Sequence, residues 1–313
     1  MSTQFGSGGN RIGWAEVPER VRSALFAVGV VDEVSQPGGF SPGLASRLRL
    51  ADGRRVFAKA VGRDRNPHSP GMHRREIEIL GAMPADLPVP ALLDSYDDGD
   101  WVALVIEDVE GRSPAMPWRA EEFAMVLDAL GTLSRALTPS PIAVAPIEQA
   151  HAELFGRWRA FAEDPVGVER LPDWAADQLD LLVELESAAA EASRGETLLH
   201  ADLRADNMLC TDQGVVFVDW PHACVGAAWI DLLALLPSVG MQGGPDPETV
   251  WQRAIGAVAD PDAVNAVLAA IVGFFLVGSL QPAPPNLPTI RTFQRLQGDV
   301  ALGWLRDRLR LRG

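Results

Sequence analysis

A change of hydrophobic period near Gly111 constrains this chain more than any other feature of its sequence. Before it the pattern is one of short strands. Ala45–Leu50 and Arg55–Ala60 flank Ala51-Asp52-Gly53-Arg54, a hairpin signal, and Trp101–Glu107 is entered through the turn Asp97-Asp98-Gly99-Asp100. A further short strand is expected between Val89 and Ser95. Pro18 opens an amphipathic helix, and another covers Gly71–Met83, stopped by Pro84. After Gly111, helical patterns dominate over 119–136, 147–162, 173–193, 247–259, 262–280 and 290–311. Two short strands at 207–210 and 215–219, joined by Thr211-Asp212-Gln213-Gly214, interrupt them. A strand-rich first third and a helix-rich remainder imply an α+β fold of two lobes. The expected organisation is a disordered N-terminus over 1–13, an N-lobe over 14–110 and a helical C-lobe over 111–313.

Composition narrows the function. The net charge of -15 argues against nucleic acid or an anionic membrane surface as partner, and it allows a cationic ligand without requiring one. The apolar stretch from Ala266 to Leu280 is shorter than the ~20 residues of a membrane span and reads as a buried helix. The first residues show no basic region followed by an apolar run, and the two cysteines, Cys210 and Cys224, are too few for a disulfide framework. These features lead us to expect a soluble, cytoplasmic protein.

One residue stands out among the 27 basic ones: Lys59 is the sole lysine. A compact ammonium and a planar guanidinium are not interchangeable at a tight site, so its position matters. Lys59 lies in Val56-Phe57-Ala58-Lys59-Ala60, near the end of the second hairpin strand. On the next helix, positions 72, 76, 79, 80 and 83 form one stripe in which every member but Glu76 is apolar. Glu76 therefore faces inward and needs a buried cation, whereas Glu78 points elsewhere.

The densest chemistry is Leu199-His200-Ala201-Asp202-Leu203-Arg204-Ala205-Asp206-Asn207, followed by Val215-Val216-Phe217-Val218-Asp219. An Asp, an Asn five residues on and an Asp ending a short apolar strand match the needs of phosphoryl transfer. One carboxylate must take the proton of an acceptor hydroxyl. A carboxylate and an amide must hold magnesium against the phosphates of ATP.

In these residues the chain resembles the aminoglycoside phosphotransferase and choline kinase-like family, relatives of protein kinases. The resemblance implies a protein-kinase-like two-lobe fold, with an antiparallel-sheet N-lobe and a mainly helical C-lobe. It implies Asp202 as catalytic base and Asn207 and Asp219 as magnesium ligands. His200 would orient the loop and Asp231, in Trp229-Ile230-Asp231-Leu232, would brace it. The family motif is His-Gly-Asp-x-x-x-x-Asn; here Ala201 replaces the glycine. Arg204 stands where protein kinases carry a lysine near the transferred phosphate, and we expect it to neutralise charge there.

The resemblance extends upstream. Lys59 takes the place of the phosphate-binding lysine, with Glu76 as its partner. Pro37-Gly38-Gly39-Phe40-Ser41-Pro42-Gly43 lies where the nucleotide-covering loop belongs, which makes Gly38, Gly39 and Ser41 candidate phosphate contacts, although Pro42 has no amide hydrogen to offer. Val105-Ile106-Glu107-Asp108-Val109-Glu110-Gly111 resembles the hinge, whose backbone at Glu107 and Val109 would bind adenine. The likeness runs from about residue 30 to 240; beyond it, only helical character matches.

Other readings are weaker. Gly39-Phe40-Ser41-Pro42-Gly43 fits the Gly-x-Ser-x-Gly elbow of serine hydrolases, but the residue after the serine must donate its amide to the oxyanion, and Pro42 cannot. His200, Cys210, His222 and Cys224 fit no common zinc spacing. A nucleotide-binding pseudokinase stays open, although Lys59, Asp202, Asn207 and Asp219 are all present. A protein substrate fits poorly, because Asp231 follows only twelve residues after Asp219. The expected activity is ATP- and magnesium-dependent phosphorylation of a small-molecule hydroxyl. The acceptor is expected to be an antibiotic, of aminoglycoside or other type, with a metabolic acceptor of choline or homoserine type as the alternative. Acids such as Glu121, Glu122, Glu163 and Asp164 are candidates to bind amines of the acceptor.

Overall fold

The computed structural model describes residues 11–36, 42–255, 258–284 and 288–310. Along the chain run α1 (Glu19–Leu25), β1 (Val30–Ser35), β2 (Leu44–Leu50), β3 (Arg55–Gly62), α2 (Ser69–Ala82), β4 (Leu92–Asp97) and β5 (Trp101–Glu107). There follow α3 (Ala120–Ala136), α4 (Ile147–Ala150), α5 (Arg157–Glu163), α6 (Asp173–Asp177), α7 (Leu179–Ser187) and α8 (Ala189–Ala192). Then come β6 (Thr197–Leu199), β7 (Met208–Thr211), β8 (Gly214–Phe217), β9 (Cys224–Gly226), α9 (Ile230–Met241), α10 (Pro247–Ala254), α11 (Pro261–Ser279) and α12 (Ile290–Arg310). These elements form two compact units. The first runs to Pro114 and takes in Asp206–His222; the second holds Ala115–Ala205, Ala223–Pro284 and the residues from Pro288.

The first unit is built on a five-stranded antiparallel sheet of order β1-β2-β3-β5-β4. Side chains alternate across a strand, so each strand of the sheet has two audiences. Val56, Ala58 and Ala60 of β3, with Trp101, Ala103 and Val105 of β5, face a core completed by Trp14, Val17, Val21 and Leu25. Phe57, Lys59 and Val61 therefore face the other way, where α2 packs on β3 and β5. Covering both faces explains why β5 reads as an almost unbroken apolar run. Helix α2 starts after Asn66, whose side chain accepts the amides of His68 and Ser69 at 2.8 and 3.1 Å, and Pro70 sits in its first turn. Its buried face is Ser69, Pro70, His73, Glu76, Ile79 and Leu80. This corrects the expected stripe: His73, not Met72, lies in the covered face one turn before Glu76.

The second unit is helical around α11, which packs against α5, α7, α8, α9 and α12. Helix α11 is longer than the apolar stretch expected from the sequence and is long and apolar enough to cross a membrane; 72% of its most apolar window is buried inside the protein. Two expected helices are broken. The 147–162 pattern divides at Gly156, whose φ of 88° is left-handed, and the 173–193 pattern divides into α6, α7 and α8. Helix α9 had no counterpart in the sequence reading. It is buried almost all round and contains Pro237, so it shows neither amphipathic period nor clean helical composition.

Candidate active site

In the first unit, alternation along β3 aims Lys59 at α2, and the second covered turn of that helix presents Glu76. The Lys59 ammonium lies 2.8 Å from both Glu76 oxygens and 2.6 Å from Asp219 Oδ1. Glu76 is only 1% exposed while Asp219 is 41% exposed, so the triad has a sealed end and an open end. Burial alone would lower the Lys59 pKa; the two carboxylates outweigh it and hold the ammonium above its ordinary value. Burial pushes Glu76 up, while Lys59 and the Trp220 backbone amide pull the other way.

Asp219 is presented by the turn that leaves β8. Its φ of 70° is left-handed, an uncommon conformation for a residue with a side chain. The fully buried Trp220 anchors that turn, its indole donating to the Phe217 carbonyl at 2.9 Å. The buried Asn207 belongs to the same unit, and its carbonyl accepts the Val218 amide at 3.0 Å, one residue before Asp219. An amide oxygen and a half-exposed carboxylate are hard donors of the kind magnesium takes when phosphates supply the rest of its shell. Among the described residues no cluster of three His, Cys, Asp or Glu forms an all-protein metal cage. The residues thus fit a cation brought by a phosphate ligand.

Two residues of this centre escaped the sequence reading. His73 is buried near Lys59, Asp219 and Arg11; burial first, then the Lys59 charge, lowers its pKa to about 3. Its Nε2 has no hydrogen-bond partner. Arg11 reaches the neighbourhood of Asp219 because its strand-like segment pairs with Gly43. Only the i, i+3 spacing from Glu76 could have flagged His73; nothing local flagged Arg11.

The segment after β5 is held from one side. Asp108 forms ion pairs with Arg47 and Arg55 at 2.7 and 2.9 Å, and the Val109 carbonyl accepts Arg47 Nη2 at 3.1 Å. The Glu107 amide donates to the Ala91 carbonyl at 2.9 Å. Gly38, Gly39 and Ser41 lie outside the described residues.

In the second unit, the buried Asp231 at the start of α9 accepts the backbone amides of His200 and Ala201 at 2.8 and 2.9 Å. The His200 imidazole Nδ1 in turn accepts the Asp202 amide at 3.3 Å. Burial raises the Asp231 pKa, and the two backbone amides oppose it. Ala201 takes φ 61°, the left-handed value that a glycine reaches without strain. Arg204 Nη1 is 3.5 Å from Asp202 Oδ1, and its Cζ lies 6.0 Å from the centre of the Phe293 ring on α12. Of the acids expected to greet amines, Glu122 is buried and accepts the Ala115 amide at 2.7 Å, while Glu121, Glu163 and Asp164 are exposed.

A family model described as the phosphotransferase enzyme family matches residues 40–267, which takes in β3, α2, the loop that carries Asp202 and α9. The chain belongs to that family. It is a phosphotransferase with an alcohol group as acceptor. Solved structures of other phosphotransferases share its α+β, protein-kinase-like fold. An aminoglycoside phosphotransferase from Alicyclobacillus acidocaldarius is similar at 17% identity and TM-score 0.60, over 96% of this chain and 97% of that one. A thermostable mutant of aminoglycoside phosphotransferase APH(4)-Ia, in ternary complex with AMP-PNP and hygromycin B, is similar at 15% identity and TM-score 0.60, over 92% and 97%. Spectinomycin phosphotransferase APH(9)-Ia, in complex with ADP and spectinomycin, is similar at 10% identity and TM-score 0.61, over 91% and 97%. The comparison with curated proteins gave no significant match. Helix α12, whose Phe293 underlies Arg204, lies outside the part that the phosphotransferase family model matches.

Proposed function

We propose that this phosphotransferase moves the γ-phosphoryl group of ATP to a hydroxyl of a small molecule in a magnesium-dependent reaction in the cytoplasm. The observation that carries this reading is the Lys59 ammonium fixed by Glu76 at its sealed end and by Asp219 at its open end. Lys59 binds the phosphates and Glu76 holds it in place. Asn207 and Asp219 hold magnesium, which when bound neutralises charge on the phosphates. The backbone of Glu107 and Val109 receives adenine, and Gly38, Gly39 and Ser41 approach the phosphates.

Asp202 takes the proton of the acceptor hydroxyl as the hydroxyl oxygen bonds to the γ-phosphorus. The bond from that phosphorus to the oxygen bridging it to the β-phosphate breaks, and ADP leaves. His200 and Asp231 hold the loop that carries Asp202, and Arg204 offers positive charge beside it. Catalysis then rests on positioning and charge neutralisation.

Neighbours crystallised with AMP-PNP and hygromycin B, and with ADP and spectinomycin, support both the nucleotide and an antibiotic as acceptor class. The alternative is a metabolic hydroxyl compound of choline or homoserine type. Magnesium-dependent ADP release against aminoglycosides, peptide, macrolide and nucleoside antibiotics, choline and homoserine tests this reading. Asp202→Asn should lose about 10²–10⁴-fold in turnover yet still bind ATP. Loss of ATP binding in that variant contradicts the role of Asp202. ATP binding by the native chain with no release on any acceptor sinks the reading in favour of a pseudokinase.

A further inference from the structure

Arg47 lies in the middle of β2. Its register with Phe57, and that of Ala45 with Lys59, puts its side chain on the face of the sheet that carries Lys59. Leu44, Leu48 and Leu50 of the same strand turn to the opposite, apolar core. From the Lys59 face the Arg47 guanidinium reaches the segment after β5 with both terminal nitrogens. Nη1 lies 2.7 Å from Asp108 Oδ1, and Nη2 donates to the Val109 carbonyl at 3.1 Å.

This fork is held in place. The Asp108 carboxylate is only 2% exposed and is shared with Arg55 at 2.9 Å, so the Arg47 charge has a fixed, desolvated counter-ion. The segment is also tied from its far end. The Arg112 amide donates to the Cys210 carbonyl at 3.1 Å, and the Cys210 amide donates back at 2.7 Å.

Val109 therefore keeps one polar backbone group and has lost the other. Among the described residues its amide donates to no protein group, while its carbonyl is taken by Arg47. Adenine suits that residue: its N1 is an acceptor for a single N–H. Guanine presents the reverse order, the acceptor O6 followed by the donors N1–H and the 2-amino group. Set in adenine's place, its N1–H would meet the Val109 N–H, donor against donor. Shifted so that O6 takes the N–H, its N1–H would need the Val109 carbonyl, and there it would meet a guanidinium, which carries donors alone. Either placement leaves donors of a partly buried base unpaired.

We infer that Arg47 sets the nucleobase preference of this phosphotransferase: by occupying the Val109 carbonyl it admits adenine nucleotides and turns guanine nucleotides away. This rests on the reading in which the backbone of Glu107 and Val109 receives the base. Arg47 acts through that backbone, as a specificity-determining residue on a neighbouring strand.

The test is calorimetric titration of the full chain with ADP, GDP, IDP and 1-deaza-ADP, which needs no acceptor. ADP should bind at least about tenfold more tightly than GDP or IDP, the scale of one lost hydrogen bond with a donor left unpaired. IDP has the O6 and N1–H of guanine without the 2-amino group, so its weakness separates the hydrogen-bonding edge from bulk at C2. The analogue 1-deaza-ADP lacks N1 and should also bind less tightly than ADP. Arg47→Lys keeps a cation for Asp108 without the planar fork, and Arg47→Met removes both contacts while Arg55 stays on Asp108. Each should narrow the gap between ADP and GDP to about threefold or less by tightening GDP and IDP.

The native chain alone decides the main point, whatever the variants do to folding. GDP or IDP as tight as ADP, with 1-deaza-ADP weak, overturns the inference and leaves the base at Val109. A 1-deaza-ADP as tight as ADP overturns the base site itself, and the inference with it. A gap unchanged in both variants, or one closed only by weaker ADP, overturns the role of Arg47.

Discussion

Lys59 in the first unit and Arg157 with Arg291 in the second are all partly buried cations, yet their surroundings differ. Lys59 lies within 2.8 Å of two carboxylates, one of them sealed from solvent. The two arginines touch carbonyls, an amide side chain and a ring. The first arrangement is complete within the protein, so on the proposed function a phosphate ligand shares the ammonium with Asp219. The second has only uncharged partners among the described residues. The difference teaches that residue type alone does not locate a binding charge; what counts is whether the fold has already supplied its counter-ion.

The sharpest way to break this comparison is to remove each cation in turn. Lys59→Met leaves the sealed Glu76 carboxylate without its cation and should cost about 3–5 kcal/mol of stability by urea unfolding. Arg291→Met orphans no carboxylate and should stay within about 1 kcal/mol of the native chain. Equal losses from the two would erase the distinction drawn between the sites.

A smaller effect concerns His73, the neutral neighbour of the Lys59 centre. Its folded pKa of about 3 lies below the ordinary 6.5, so between those values the unfolded chain binds a proton that the folded chain refuses. Stability contributed by neutral His73 is present above pH 6.5 and drains as pH falls toward 3, at up to roughly 1.4 kcal/mol per pH unit. His73→Gln should flatten that acid limb in unfolding measured from pH 7 to 4. An unchanged slope would mean that the imidazole is not held neutral.

The smallest effect belongs to the loop that carries Asp202. Ala201 at φ 61° carries a left-handed strain of about 1–2 kcal/mol, against about 0.4–1 kcal/mol of extra unfolded-state freedom that a glycine would add. Ala201→Gly should therefore gain about 0.5–1 kcal/mol and raise Tm by about 1–3 °C. A fall in Tm would show that the loop is built around the methyl group.

Much of the frame was legible in the sequence because its signals are local. The β2–β3 hairpin follows from strand alternation around Asp52-Gly53, and β5 from an apolar run bounded by turns. The motif that carries Asp202, Asn207 and Asp219 was legible for the same reason, because it is defined by short spacings next to short strands. Legibility failed where a tertiary neighbour replaced a local signal. Strands β6 and β9, three residues each, exist as each other's partners, and neither carries a pattern long enough to read. His73 is buried because α2 rests on β3 and β5, a fact its polar side chain conceals.

By itself, then, the sequence determined the α+β class, the order of most elements and the residue types of the phosphotransfer chemistry, since period, turns and motif spacing act over a few bonds. Tertiary structure alone decided which charges meet. It brought Lys59 to Asp219, 160 residues away. Electrostatic pairing depends on distance and burial in space, and neither is written in the order of the chain.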